Sequence, residues 1–121
     1  GVLRDDYIFF TTTTAGASTV RKAHFVYNVT CGGETFVAAA GYTDPTGIGT
    51  LSTPIINPFT GFIYAGSSDG HLYKIDPATG SVLLNRTVNL GFTIGDPSLD
   101  VYLNKLFAGD SQGRIYSFDI F

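Results

Sequence analysis

Gly66-Ser67-Ser68-Asp69-Gly70 reads G-x-S-x-G, and His71 follows it directly, so serine, carboxylate and imidazole crowd one short stretch. The chemistry this would serve is acyl transfer, with a hydroxyl nucleophile activated by an imidazole that an acid orients. Such a serine needs a strand, a sharp turn and then a helix, with its partners arriving from elsewhere in the chain. Here the continuation is His71-Leu72-Tyr73-Lys74-Ile75-Asp76, which alternates like a strand. The motif also recurs as Gly109-Asp110-Ser111-Gln112-Gly113, with Arg114 where the histidine stood. Both stretches are therefore expected to be hairpin turns, and neither a nucleophile elbow.

Other reactive groups are scattered. His24 and His71 have no second His or Cys at ligand spacing, so no metal site is expected, and no cofactor. Arg21 and Lys22 form an isolated basic pair read as part of a loop. Cys31 is the only cysteine, which excludes an internal disulfide; it is expected in a turn, half-buried, or paired with a cysteine outside this segment. Asn28-Val29-Thr30 and Asn85-Arg86-Thr87 both read N-x-T, and Asn85 is the candidate glycosylation acceptor if the source is a secretory one.

The elements that hold these residues follow from composition. The 121 residues are 44% hydrophobic and 14% charged, too apolar for disorder and enough for one compact domain, 1–121. Fifteen Gly among many Val, Ile, Thr, Tyr and Phe indicate short strands and tight turns, an all-β chain. A net charge of -3 argues against nucleic acid as a partner. No stretch reaches the length of a membrane span, so no membrane insertion is expected. The start lacks the order of a signal peptide, so any targeting signal is expected outside the segment.

The chain repeats itself. An ungapped offset of 43 lays Pro54 on Pro97, Gly66 on Gly109, Ser68 on Ser111, Gly70 on Gly113, Tyr73 on Tyr116 and Asp76 on Asp119. A fainter copy lies at an offset of 48, where Phe25 matches Tyr73 and Asn28 matches Asp76; its Thr-rich stretch before Lys22 reads as a longer turn. Within a unit, Leu72 and Lys74 are expected on one strand face, Tyr73 and Ile75 on the other. Gly70 and Gly113 supply the positive φ of a hairpin turn. With strand candidates before and after each hairpin, the unit is a four-stranded antiparallel meander of 40-odd residues, the length of a β-propeller blade. Blades are expected near 5–41, 51–89 and 95–121, the first and last each missing a strand. The ring would be incomplete, finished by further blades of a longer chain or by other subunits.

Phe62 to Leu83 resembles the repeat of quinoprotein (PQQ-type) propellers, and Leu106 to Phe121 is similar to the last blades of the C-terminal propeller in bacterial type IV pilus tip adhesins. The resemblance implies a propeller and, from the adhesins, an extracellular, cell-surface or periplasmic place. Trp is absent and Cys single, so the docking tryptophan and adjacent cysteines of quinoprotein enzymes are missing. Only Asp96 and Asp100 remain where the adhesins carry a calcium loop, too few for a site of five or more oxygens.

In an up-and-down blade, the hairpin turns leave the same face as the links between blades. That face is expected to gather Arg21, Lys22, Ser67, Asp69, His71, Asp110, Gln112 and Arg114 as binding loops. The function expected is a non-enzymatic binding or adhesion module recognising a protein or glycan. Two alternatives are a fragment of a PQQ-dependent dehydrogenase and a structural subunit assembling through open strand edges.

Overall fold

The computed structural model describes residues 7–28 and 33–121. Among the described residues, ten strands run as three antiparallel meanders. The first sheet holds β1 (Tyr7–Thr14), β2 (Ala17–Asn28) and β3 (Gly33–Ala38). The middle sheet holds β4 (Ile55–Ile56), β5 (Ile63–Gly66), β6 (His71–Ile75) and β7 (Val82–Thr87). The last holds β8 (Ser98–Asp100), β9 (Lys105–Gly109) and β10 (Ile115–Asp119). The chain is all-β, with sheets of three, four and three strands, and no closed ring forms among the described residues. Cys31 and the end of the first N-x-T triplet lie outside them.

The Thr-rich stretch is not a long loop, and Arg21 and Lys22 are not loop residues. β1 and β2 pair without interruption from Tyr7↔His24 to Thr14↔Ala17, which puts Arg21 and Lys22 opposite Phe10 and Phe9. The reason is local. β-Branched Thr and Val favour strands, and Ala15 and Gly16 close a two-residue turn with φ of 51° and 82°, the paired positive values a tight hairpin demands.

The middle sheet buries both faces. Ile63 and Ala65 pair with Ile75 and Tyr73, so period-two geometry turns all four one way, where they pack with Val20 and Leu51. Tyr64 and Leu72 face the other way and pack with Ile94, Leu106 and Ala108. The alternation expected along β6 is present. Each fully buried aliphatic side chain contributes about 1.5–3 kcal/mol. Lys74, on the Leu72 face, keeps its ammonium 4.0 Å from the Phe62 ring centroid, its stem lying along apolar surface.

Two links stitch the sheets together in the same way. Leu51 donates its N–H to the Ser18 carbonyl and bridges to Ser67. Ile94, which the 43-residue offset lays on Leu51, donates to the Ser67 carbonyl and bridges to Asp110. At the other end of the strands, Asp76 accepts from Ala78 N and Thr79 Oγ1 and closes the β6–β7 turn. Gly80 ends that turn at φ 79°, and a Cβ there would run into the Thr43 carbonyl oxygen. Only Gly combines that backbone with that contact.

Candidate functional site

The β5–β6 and β9–β10 turns are built alike. Ser67 N donates to His71 O and Gly70 N to Ser67 O; Asp110 N donates to Arg114 O and Gly113 N to Asp110 O. Gly70 and Gly113 take φ of 89° and 83°, as the sequence leads one to expect. Each turn is a β-turn closed by a left-handed Gly, the common three-residue hairpin connection.

Each turn is clasped by the link that passes it. Ser68 N donates to Thr50 O, and its Oγ accepts from Thr50 N at 2.9 Å. Ser111 N donates to Thr93 O, and its Oγ accepts from Thr93 N at 3.3 Å. The repeated serine of the G-x-S-x-G motif is therefore a clasp between turn and link. Thr50 and Thr93 fall on the same 43-residue offset, and that was the available signal.

Ser67 has no exposed surface, and its Oγ donates to Ile48 O at 2.5 Å. It stands inside the sheet junction instead of on the loop surface. His71 Nδ1 lies 3.1 Å from Asp69 Oδ1, and no contact joins the imidazole to Ser67 or Ser68. With β6 in place of a helix, the motif lacks the geometry of a nucleophile elbow.

The carboxylates hold the turns. Asp69 Oδ1 accepts from His71 N, and its Oδ2 accepts from the Tyr73 hydroxyl at 2.5 Å. Desolvation alone would raise this carboxyl, but donation from Tyr73 and His71 brings it below its ordinary value. Asp110 Oδ1 accepts from Gln112 N and Arg114 N, and Oδ2 from Asn89 Nδ2 and Tyr116 OH. Desolvation opposes ionisation there too, yet these four donors hold the carboxyl at about 2. Burial and the facing Asp69 push Tyr73 up to about 12.

Asn89 joins the two turns. Its backbone N–H donates to Gly70 O at 3.1 Å, and its side chain reaches Asp110 at 2.8 Å. No repeat partner marks it, so the sequence carried no signal for it. Beside the second turn, Thr93, Asp96 and Asp110 line a shallow cleft of about 400 Å³. Asp96 Oδ1 accepts from Thr53 N. No group of three His, Cys, Asp or Glu able to hold a metal occurs among the described residues.

Asp69, His71, Asp110, Gln112 and Arg114 are thus gathered on one end of the sheets. Gln112 and Arg114 are exposed, and their side chains have no hydrogen-bond or ion-pair partner among the described residues. Arg21 and Lys22 do not join them. Arg21 Nε pairs with Asp44 Oδ2 at 3.2 Å, and Lys22 Nζ donates to Pro77 O, in the turn at the opposite end of β6. Asn85 is exposed on the outer strand β7. Compared with known proteins, the chain matches no protein-family model and no curated protein.

Proposed function

We propose that the three sheets are β-propeller blades and that the chain serves as a non-enzymatic binding or adhesion module. In this reading it belongs to a secreted or cell-surface bacterial protein and offers its turn face to a protein or glycan. The blade reading draws support from the 40-odd-residue repeat, the meander order and the burial of both faces of the middle sheet. The observation that carries the binding reading is the division of labour on the turn face. Asp69, Asp110 and Asn89 are committed to holding the turns, while the side chains of Gln112 and Arg114 stand exposed and unpartnered among the described residues. A fixed polar edge loses little conformational entropy when a partner docks.

Glycan and protein panels probed with the native chain and with a Gln112→Ala/Arg114→Ala variant test the reading. At least one partner should bind and weaken about tenfold or more in the variant, the scale of a lost interface anchor. Panels without a partner, or binding that ignores the double change, overturn it.

One observation favours assembly through strand edges as a second reading. Among the described residues β10 pairs with β9 alone, and Ile115 on it is 81% exposed; the repeat-equivalent β6 carries β7 on its other side. An open edge with an apolar residue invites a further strand. Light scattering that gives one monomer mass at every concentration would remove it.

A further inference from the structure

At the opposite end of β6 from the turn face, the β1–β2 ribbon meets the β4–β5 and β6–β7 turns around a cleft of about 490 Å³. Tyr7, Phe9, Lys22, Asn57, Pro58 and Pro77 line it, and Lys22 is the one charged group among the described lining residues. The Lys22 ammonium lies 4.1 Å from the Tyr7 ring centroid and 5.5 Å from that of Phe9. It donates to Pro77 O at 2.8 Å, which uses one of its three protons.

Asn57 is 5% exposed. Its Oδ1 accepts from Phe59 N and Thr60 N and so fixes the β4–β5 turn. Its Nδ2 brings two further donors, and no acceptor for them occurs among the described residues. Buried donors left unpaired cost about 1–3 kcal/mol, so their presence calls for an explanation. Asp76, the carboxylate nearest Lys22 in effect, has its oxygens engaged by Ala78 and Thr79. The cleft is thus rich in donors, short of acceptors, and walled by rings.

We propose that this cleft binds a small ligand carrying a carboxylate on a flat apolar body. The carboxylate, an acceptor without donors, satisfies the Lys22 ammonium and the Asn57 amide, and the apolar body lies against Tyr7, Phe9, Pro58 and Pro77. Desolvation lowers the Lys22 pKa against the opposing pull of Asp76; an incoming anion opposes that desolvation and favours the charged ammonium.

Benzoate and its neutral counterpart benzyl alcohol serve as probes, with ligand-observed saturation-transfer NMR as the readout. Benzoate should bind saturably at millimolar concentration or below, and benzyl alcohol at least about tenfold more weakly, the loss of one charge-assisted hydrogen bond. Lys22→Met keeps the stem and Asn57→Asp keeps the turn-capping oxygen, and both should weaken benzoate by a similar factor with an unchanged circular dichroism spectrum. Should either variant unfold, competition of benzoate against benzyl alcohol on the native chain still decides the matter. Equal binding of the two probes, no saturable binding, or a folded Lys22→Met that binds as the native chain does would each overturn the proposal.

Discussion

The Tyr116 hydroxyl donates to Asp110 Oδ2 at 3.0 Å, and its repeat partner Tyr73 donates to Asp69 Oδ2 at 2.5 Å. The two tyrosines occupy the same position of the unit, but the two carboxylates do not: Asp69 aligns with Gln112, and Asp110 aligns with Ser67. An acceptor has moved two places along the turn and still meets the same hydroxyl. The bond ties the middle of the third strand to the turn that precedes it.

Removing that hydroxyl should cost more in the middle sheet than in the last. Tyr73 is 6% exposed, so Tyr73→Phe leaves Asp69 short of a donor where water is scarce, a loss of about 1.5–3 kcal/mol for a bond to a charged group. Tyr116 is half-buried, so Tyr116→Phe should cost about 0.5–1.5 kcal/mol. Urea unfolding of the two variants measures both, and a larger loss in Tyr116→Phe would contradict the assignment. An alkaline absorbance titration gives a second readout, because Tyr73→Phe should remove a tyrosine that ionises at about 12.

Acid should loosen both turns. Asp69 and Asp110 titrate below the ordinary aspartate value of 3.8 in the folded chain, Asp110 at about 2, and return to it on unfolding. A depressed folded pKa means that the unfolded state binds more protons, so the stability contributed is complete above pH 3.8 and drains away as pH falls toward 2. The melting temperature should therefore drop through that window, and Asp110→Asn should flatten the drop. An acid limb as steep in the variant as in the native chain would mean that other carboxylates govern it.

The strands of the middle sheet and its two buried faces were legible because alternation and positive-φ glycines act over a few residues. Leu72 and Tyr73 could be assigned to opposite faces by counting. Two parts of the site were not legible, for different reasons. Ser67 against Asp110 and Asp69 against Gln112 looked like the variable, functional positions of the repeat, yet three of the four serve the turn or its junction, because hydrogen-bond satisfaction depends on where an oxygen ends up and not on which residue carries it. Arg21 and Lys22 were placed in a loop because Thr-Ala-Gly-Ala-Ser is polar and small; the pairing energy of a long ribbon outweighed that local weakness. The cleft at Lys22 joins residues as far apart as Tyr7 and Pro77, and only tertiary packing brings them together.

Gly70 and Gly113 give a matched test of how tightly the sheets are clasped. They occupy the same repeat position with nearly the same φ, 89° and 83°. A Cβ at Gly113 meets nothing within 4 Å, whereas one at Gly70 collides with the Asn89 carbonyl oxygen and crowds Leu90 Cα at 2.8 Å. Gly113→Ala should thus show only the cost of an L residue in a left-handed conformation, about 1–2 kcal/mol. Gly70→Ala should lose about 1–3 kcal/mol more, since backbone cannot turn aside as a flexible side chain can. The displaced Asn89 should also release Asp110, so the Asp110 carboxyl, followed by NMR titration, should rise from about 2 in Gly70→Ala and stay there in Gly113→Ala. Equal losses in the two variants, or an Asp110 titration indifferent to Gly70→Ala, would show that the link around Asn89 yields freely and that the turn face is not held as a unit.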